Sequence, residues 1–453
     1  MHFIHDYSQS SDPPHPGDGV FFIDKNFTQN AAPNATFFQI SRPINHIIFL
    51  NTNQKEINMN RFTMINRASI KIAVIGLAAI ITMTSLLYTD SSSTAAAAKQ
   101  QSNIKLLFND QEYSFSSTPI IYKNSLYLPL RDLGELLGSV VVWNAENKTV
   151  TMTYPNQVVV TKLNALDATV NGKAVQLDSP AIVRDGRTFV PIRFFSEAIG
   201  ASVDWQPANR TVSLSKTPTF AKGIGVNMSI WLNKATGDVF FAYPYDAEPV
   251  KLGQLEANIQ GFLNISAYNL PGEQQSFILK IEDVYGEPSI HTTVYTAFVK
   301  NNQILKQSKA NYFKRYEQNT LIDHEGNPIL TDGKLLTIIN TEGQIIKEYD
   351  LPKLSGKDEI HSVQAVSSSY LLIRPNLSGH LTLINLKDNS MTLLYQQFLS
   401  SEEQEFAEMN DVPYFGDDLA FLGETEDGEL KFENRSPFYS EGKKYVHKLN
   451  EVK

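Results

Sequence analysis

The chain has 453 residues, 39 basic and 48 acidic, a net charge of −9 and no cysteine. At roughly 150 residues per domain, this length predicts two or three domains. Without cysteine there are no disulfides, thiolate nucleophiles, cysteine-ligated zinc sites, iron–sulfur clusters or lipid-modified cysteine. An acidic chain with no Lys/Arg stripe also lacks the footprint of a nucleic-acid binder, so no nucleic-acid partner is expected.

Residues 1–63 show no helical or strand period long enough to build on and are read as unstructured, with Met59 or Met64 as the expected true start. Residues 64–98 carry an export signature. Arg67 and Lys71 precede an uncharged run from Ile72 to Thr89, and Ser91–Ala98 (SSSTAAAA) supplies small residues for cleavage between Ala98 and Lys99. The alternative is an uncleaved signal-anchor, since 18 residues reach the lower end of the ~17–25 that span a bilayer. In both readings the basic flank stays inside and later residues face outward, so an extracellular or envelope location is expected. Contact with the membrane is expected only if 72–89 is retained. The first 98 residues hold six basic and six acidic side chains, so the acidic excess, 42 against 33, falls entirely on the exported part.

Residues 99–215 contain an internal duplication, 104–154 and 168–215. Pro129/Pro191, Arg131/Arg193, Glu135/Glu197, Gly138/Gly200, Trp143/Trp205, Asn147/Asn209, Thr149/Thr211 and Val150/Val212 match at a constant offset of 62. Each copy predicts β-β-α-β-β. A hairpin turns at Lys123-Asn124-Ser125 or Arg184-Asp185-Gly186, the second copy carrying one extra residue. Proline then opens a helix that buries Leu130, Leu133 and Leu137, or Ile192, Phe195 and Ile199, and Gly138 or Gly200 supplies the left-handed cap. The repeated residues are read as structural. Arg131 with Glu135, and Arg193 with Glu197, have the i,i+4 spacing of ordinary helix ion pairs. Trp143 and Trp205 are expected to be buried over the helices rather than offered to a sugar.

LPLRDLGELLGSVVVWNAENKTVTM and FVPIRFFSEAIGASVDWQPANRTVSL resemble the two halves of the copper amine oxidase N-terminal-like domain. The resemblance implies a non-catalytic accessory module of bacterial surface and secreted proteins and brings no copper chemistry. The position after the tryptophan varies, as Asn144 and Gln206.

Beyond Lys216-Thr217-Pro218 the pattern changes to short apolar strands. Polar turns near Asn302, Glu342, Asp388 and Asp427 are 40, 46 and 39 residues apart, of the order of a propeller blade. The expected fold is thus mainly β with short helices: the duplicated module, then an all-β domain over 216–453 as an irregular β-propeller or alternatively a β-sandwich. Strands between Pro218 and Ile290 are not separable from the pattern, and 401–412 is the one helical or linker-like acidic stretch.

Motifs with chemistry fail in this region. Gly326 to Gly333-Lys334 has the wrong spacing for a phosphate loop, Gly223-x-Gly225 lacks a third glycine, and Asn376-Leu-Ser378-Gly379-His380 lacks the glycine of a nucleophile elbow. Asp323-His324-Glu325 is read as a polar turn ahead of Gly326. Asn311-Tyr312 is followed by Phe313, not the acidic residue of a quinone-forming tyrosine. No catalytic, cofactor or metal residue is assigned. The expectation is a non-enzymatic envelope protein that binds a cell-wall polymer or surface protein, with two alternatives: a polymer-cleaving hydrolase whose site lies in 216–453, and an anchored sensory ectodomain.

Overall fold

A computed structural model describes residues 104–270, 276–409 and 416–449. The segment 1–98, with the proposed start, export segment and cleavage site at Ala98 and Lys99, lies outside the described residues. Among the described residues, no helix is long and apolar enough to cross a membrane.

The first part is built from β1 (Lys105–Phe108), β2 (Gln111–Tyr113), β3 (Ile120–Tyr122), β4 (Ser125–Pro129), α1 (Leu130–Leu137), β5 (Val140–Asn144), β6 (Thr149–Tyr154) and β7 (Gln157–Lys162). It continues with β8 (Asp167–Val170), β9 (Lys173–Gln176), β10 (Ile182–Arg184), β11 (Arg187–Pro191), α2 (Ile192–Glu197), β12 (Ser202–Gln206) and β13 (Thr211–Ser215). The β-β-α-β-β order appears in both copies. Each copy also has a leading hairpin, β1–β2 and β8–β9, ahead of the predicted β-β-α-β-β order. The turns of all four hairpins hold pairs of left-handed residues at the same offset: Asn109-Asp110 and Asn171-Gly172, Lys123-Asn124 and Asp185-Gly186. The expected extra residue in the second copy is therefore absent, because both inner hairpins turn on two residues.

The copies meet in a central sheet ordered β10-β11-β4-β3. Leu128 pairs with Val190, Tyr127 with Pro191 and Pro129 with Phe189, so exchanging each residue for its equivalent 62 positions away returns the same register. The duplication is thus an internal two-fold. Its core holds Leu128, Leu133, Val150, Val190, Phe195 and Val212, each fully buried. Pro129 and Pro191 are the N-cap residues, one position ahead of the predicted helix start, and close their strands as well. Asn147 and Asn209 accept from the backbone N–H of Thr149 and Thr211, which explains both repeated pairs as turn closures.

The second part is a succession of five small antiparallel sheets. The first comprises β14 (Phe220–Gly225), β15 (Met228–Asn233), β16 (Asp238–Ala242) and β17 (Val250–Gln254). The second comprises β18 (Phe262–Asn269), β19 (Ser276–Tyr285), β20 (His291–Lys300) and β21 (Gln303–Phe313). The third, β22 (Ile329–Thr331), β23 (Leu335–Ile339) and β24 (Ile345–Asp350), runs into α3 (Leu351–Ser355). The fourth, β25 (His361–Val366), β26 (Tyr370–Pro375), β27 (Thr382–Asn385) and β28 (Met391–Leu393), is followed by α4 (Leu394–Phe398) and α5 (Ser401–Glu408). The fifth comprises β29 (Leu419–Glu424), β30 (Glu429–Asn434) and β31 (Lys444–Lys448).

Each sheet packs on the next through its own apolar layer. Ile230 and Phe241 meet Ile265 and Leu279; Ile278 and Phe298 meet Leu330 and Ile339; Leu336 and Ile338 meet Val363 and Ile373; Leu372 and Leu383 meet Leu430 and Phe432. The four predicted polar turns each close a hairpin in a successive sheet, from the second to the fifth. The arrangement is propeller-like and irregular. The far side of the last sheet exposes Leu422, Lys431, Val446 and Lys448, and the near side of the first is covered by the N-terminal part.

Candidate functional site

The two parts are joined at the C-terminus of α1. A helix end leaves carbonyls without intrahelical donors. Three side chains from the linker and the first sheet supply donors: Lys216 Nζ to Leu137 O (3.0 Å), Trp231 Nε1 to Gly138 O (2.9 Å) and Lys222 Nζ to Ser139 O (2.7 Å). Two of the three are cations at the negative end of the helix dipole. Burial pushes both lysines down to about 8. Around this polar cluster Val140 packs against Trp231, Phe240 and Ala242, with Val142, Phe220 and Ala247 alongside. An edge-to-face series of rings runs Tyr154, Phe220, Phe240. The linker is held on its other side by Asn109, whose amide donates to the Lys216 carbonyl and accepts its N–H. Gly138 is thus used twice, as the left-handed cap and as an acceptor, whereas α2 ends on a right-handed C-cap at Ala198, so Gly200 (φ 77°) is not the expected helix cap but lies exposed in the turn that follows.

The remaining signature residues are placed as follows. Arg131, Glu135, Arg193 and Glu197 lie on the exposed sides of α1 and α2. Arg193 and Glu197 form no ion pair among the described residues. Trp143 and Trp205 pack against the module core but are only half-buried, less than the sequence reading expects, because each stands in an outer strand with one edge open to solvent.

The second part contains buried polar groups tied into the fold. Arg374 donates to the carboxylate of Asp417 at 2.9 Å and to the carbonyls of Gly379, Asp417 and Leu419, while Asp417 also accepts the N–H of Leu381. Asp283 accepts from the N–H groups of Gln260 and Gly261. Lys280 lies 2.8 Å from Glu282, which Asn264 also reaches. His361 Nε2 lies 2.8 Å from Ser355 Oγ, and its Nδ1 faces a backbone carbonyl, Gly333 O, instead of a carboxylate. Burial lowers this imidazole to about 4, and with the residue fully enclosed the pair is a structural fastener. Asp323 accepts from Glu325 and Asn327 and organises the polar turn read from the sequence. The glycines of Gly223-x-Gly225 also have a packing role: a Cβ on Gly223 would stand 2.6 Å from the Cβ of Ile265, so glycine lets β14 lie against β18.

One end of the first sheet is different. Ile224 lies opposite Ser229, Ser229 opposite Ala242, and Phe241 opposite Val250, so the β14–β15 turn and the β16–β17 loop close the same edge. Five large apolar side chains are exposed there: Ile224, Val226, Tyr243, Tyr245 and Val250, between 41% and 60%. Tyr243 stacks parallel on Phe241, and Phe241 stacks on buried Phe277. The loop is pinned by the bond from Ala247 N–H to Pro244 O (2.8 Å) and by Ala247 packing into the junction. No sequence motif marks this rim, since its residues come from two separate connections.

No curated protein matches the sequence. Among solved structures the chain is similar to apo AztD from Citrobacter koseri (10% identity, 56% of this chain and 84% of that chain, TM-score 0.22). It is also similar to Saccharomyces cerevisiae Sqt1 (10%, 68% and 74%, 0.22) and to the WD40 domain of SCAP from fission yeast (9%, 67% and 64%, 0.22). The duplicated register, the proline-capped helices and the closing Asn-Thr turns coincide with a family match over the same stretch: residues 107–214 are a copper amine oxidase N-terminal domain.

Proposed function

We propose that this is an exported bacterial envelope protein that binds a wall polymer or surface protein and catalyses no reaction on it. Export is inferred from the apolar segment 72–89 with its basic flank and small-residue exit. The accessory character of the 107–214 module supports a binding role. The observation that carries the reading is the β16–β17 loop at the end of the first sheet, where Tyr243 and Tyr245 stand exposed on a loop pinned by the bond from Ala247 N–H to Pro244 O. Exposed patches of this kind mark interaction sites.

The test is to produce the protein in an exporting host and identify its first residue and its retention on isolated wall. The reading expects Lys99 or a neighbour as first residue and retention on wall material. An intact N-terminus embedded in membrane points instead to the anchored ectodomain, and loss of retention on wall and surface proteins contradicts the binding role.

A further inference from the structure

The rim has a chemistry more specific than apolarity. Its two tyrosines sit two residues apart on the β16–β17 loop, both exposed, and the first is held in fixed orientation by its parallel stack on Phe241, 6.4 Å between centroids and 1° between planes. Asp246 and Glu248 follow immediately on the same loop, and among the described residues neither carboxylate makes an ion pair. A pre-oriented ring loses little freedom when a second flat surface lies on it. Carboxylates beside such rings accept hydrogen bonds from hydroxyl or amine groups and repel anions. The exported part repeats that bias, with 42 acidic against 33 basic residues.

We propose, resting on the binding role above, that this rim is a glycan platform. Tyr243 and Tyr245 stack on the apolar faces of sugar rings in an uncharged polysaccharide, and Asp246 and Glu248 accept hydrogen bonds from its hydroxyl groups. An anionic wall polymer does not fit, because the same carboxylates oppose it.

The experiment uses the exported protein with two probes, chitohexaose in solution and wall stripped of its anionic polymers by hydrofluoric acid. Changing both tyrosines to alanine (Y243A with Y245A) is expected to weaken binding of both probes tenfold or more at an unchanged melting temperature. Phenylalanine at both positions keeps the rings and is expected to hold affinity within threefold. Raising salt tenfold is expected to leave binding unchanged, since the contacts are with a neutral polymer. Retention of the unaltered protein on stripped wall that ignores the alanine pair overturns the platform and leaves the binding role standing. Binding only to unstripped wall, lost in salt, overturns it in favour of an anionic polymer. No retention on any wall fraction overturns both, and retention only through a surface protein overturns the glycan assignment alone.

Discussion

Replacing Trp231 with alanine tests whether the module and the five-sheet stack behave as one body. The ring is fully enclosed between Val140 on one side and Phe240 and Ala242 on the other, and its Nε1 donates to Gly138 O at 2.9 Å. Emptying a closed aromatic site costs ~3–5 kcal/mol. Leaving the Gly138 carbonyl without this donor adds on the order of 1 kcal/mol. The expected loss is therefore about 4–6 kcal/mol, concentrated at the junction. Trp231→Phe keeps most of the packing and isolates the hydrogen bond, with an expected loss of ~1–2 kcal/mol. The assay is urea unfolding followed by circular dichroism, with hydrogen exchange read by mass spectrometry on peptides from β5 and from β14 to β16. The unaltered protein is expected to unfold these peptides together, and W231A is expected to split the transition and expose them first. A single transition shifted by less than about 1 kcal/mol would mean that the junction carries little of the coupling between the two parts.

Trp205→Ala is expected to cost ~1–2 kcal/mol in chemical unfolding, well below the value for a closed site, because the ring is only half-buried. Gly134→Ala is expected to destabilise by ~1–3 kcal/mol in the same assay, since a Cβ there would stand 2.4 Å from Val141 Cγ2 and the helix has no room to move off β5. Stability should also respond to pH at both ends of the range. Lys216 and Lys222 at about 8 in the folded protein titrate near 10.5 when unfolded, so the unfolded chain binds more protons in that window. Melting temperature should therefore rise from pH 8 towards 10, and methionine at both positions should abolish the rise; above that, Tyr154, held up to about 12 by burial, works in the opposite sense. His361, at about 4 folded and near 6.5 unfolded, should cost stability as pH falls from 6.5 to 4, and a melt flat over that interval would contradict its buried neutral state.

The module was legible because its signals are local and come twice. An Asp-Gly turn, a proline before an i, i+3, i+7 apolar helix and a glycine after it act within a few residues. The constant offset removes chance agreement. The leading hairpins were harder to see, because Asn109-Asp110 and Asn171-Gly172 share turn geometry but little sequence. The stack was legible only at its outer turns. Strands such as β19, buried on both faces and carrying Lys280, Glu282 and Asp283 among apolar residues, show no alternation to read. The junction and the rim were not legible at all. Lys216, Lys222 and Trp231 look like linker and strand residues until the fold places them over the α1 carbonyls about 80 to 90 positions earlier in the chain. The rim depends on two connections closing one edge of a sheet, a matter of register that composition does not carry.

The most direct test incubates the protein with purified wall for many hours and assays the pellet for protein and the supernatant for soluble sugar and peptide fragments. A non-enzymatic wall-binding protein is expected in the pellet, with no fragments above a protein-free control. Time-dependent release of reducing sugar or peptide, proportional to the amount of protein added, would show that the protein hydrolyses the wall and would contradict the non-enzymatic role.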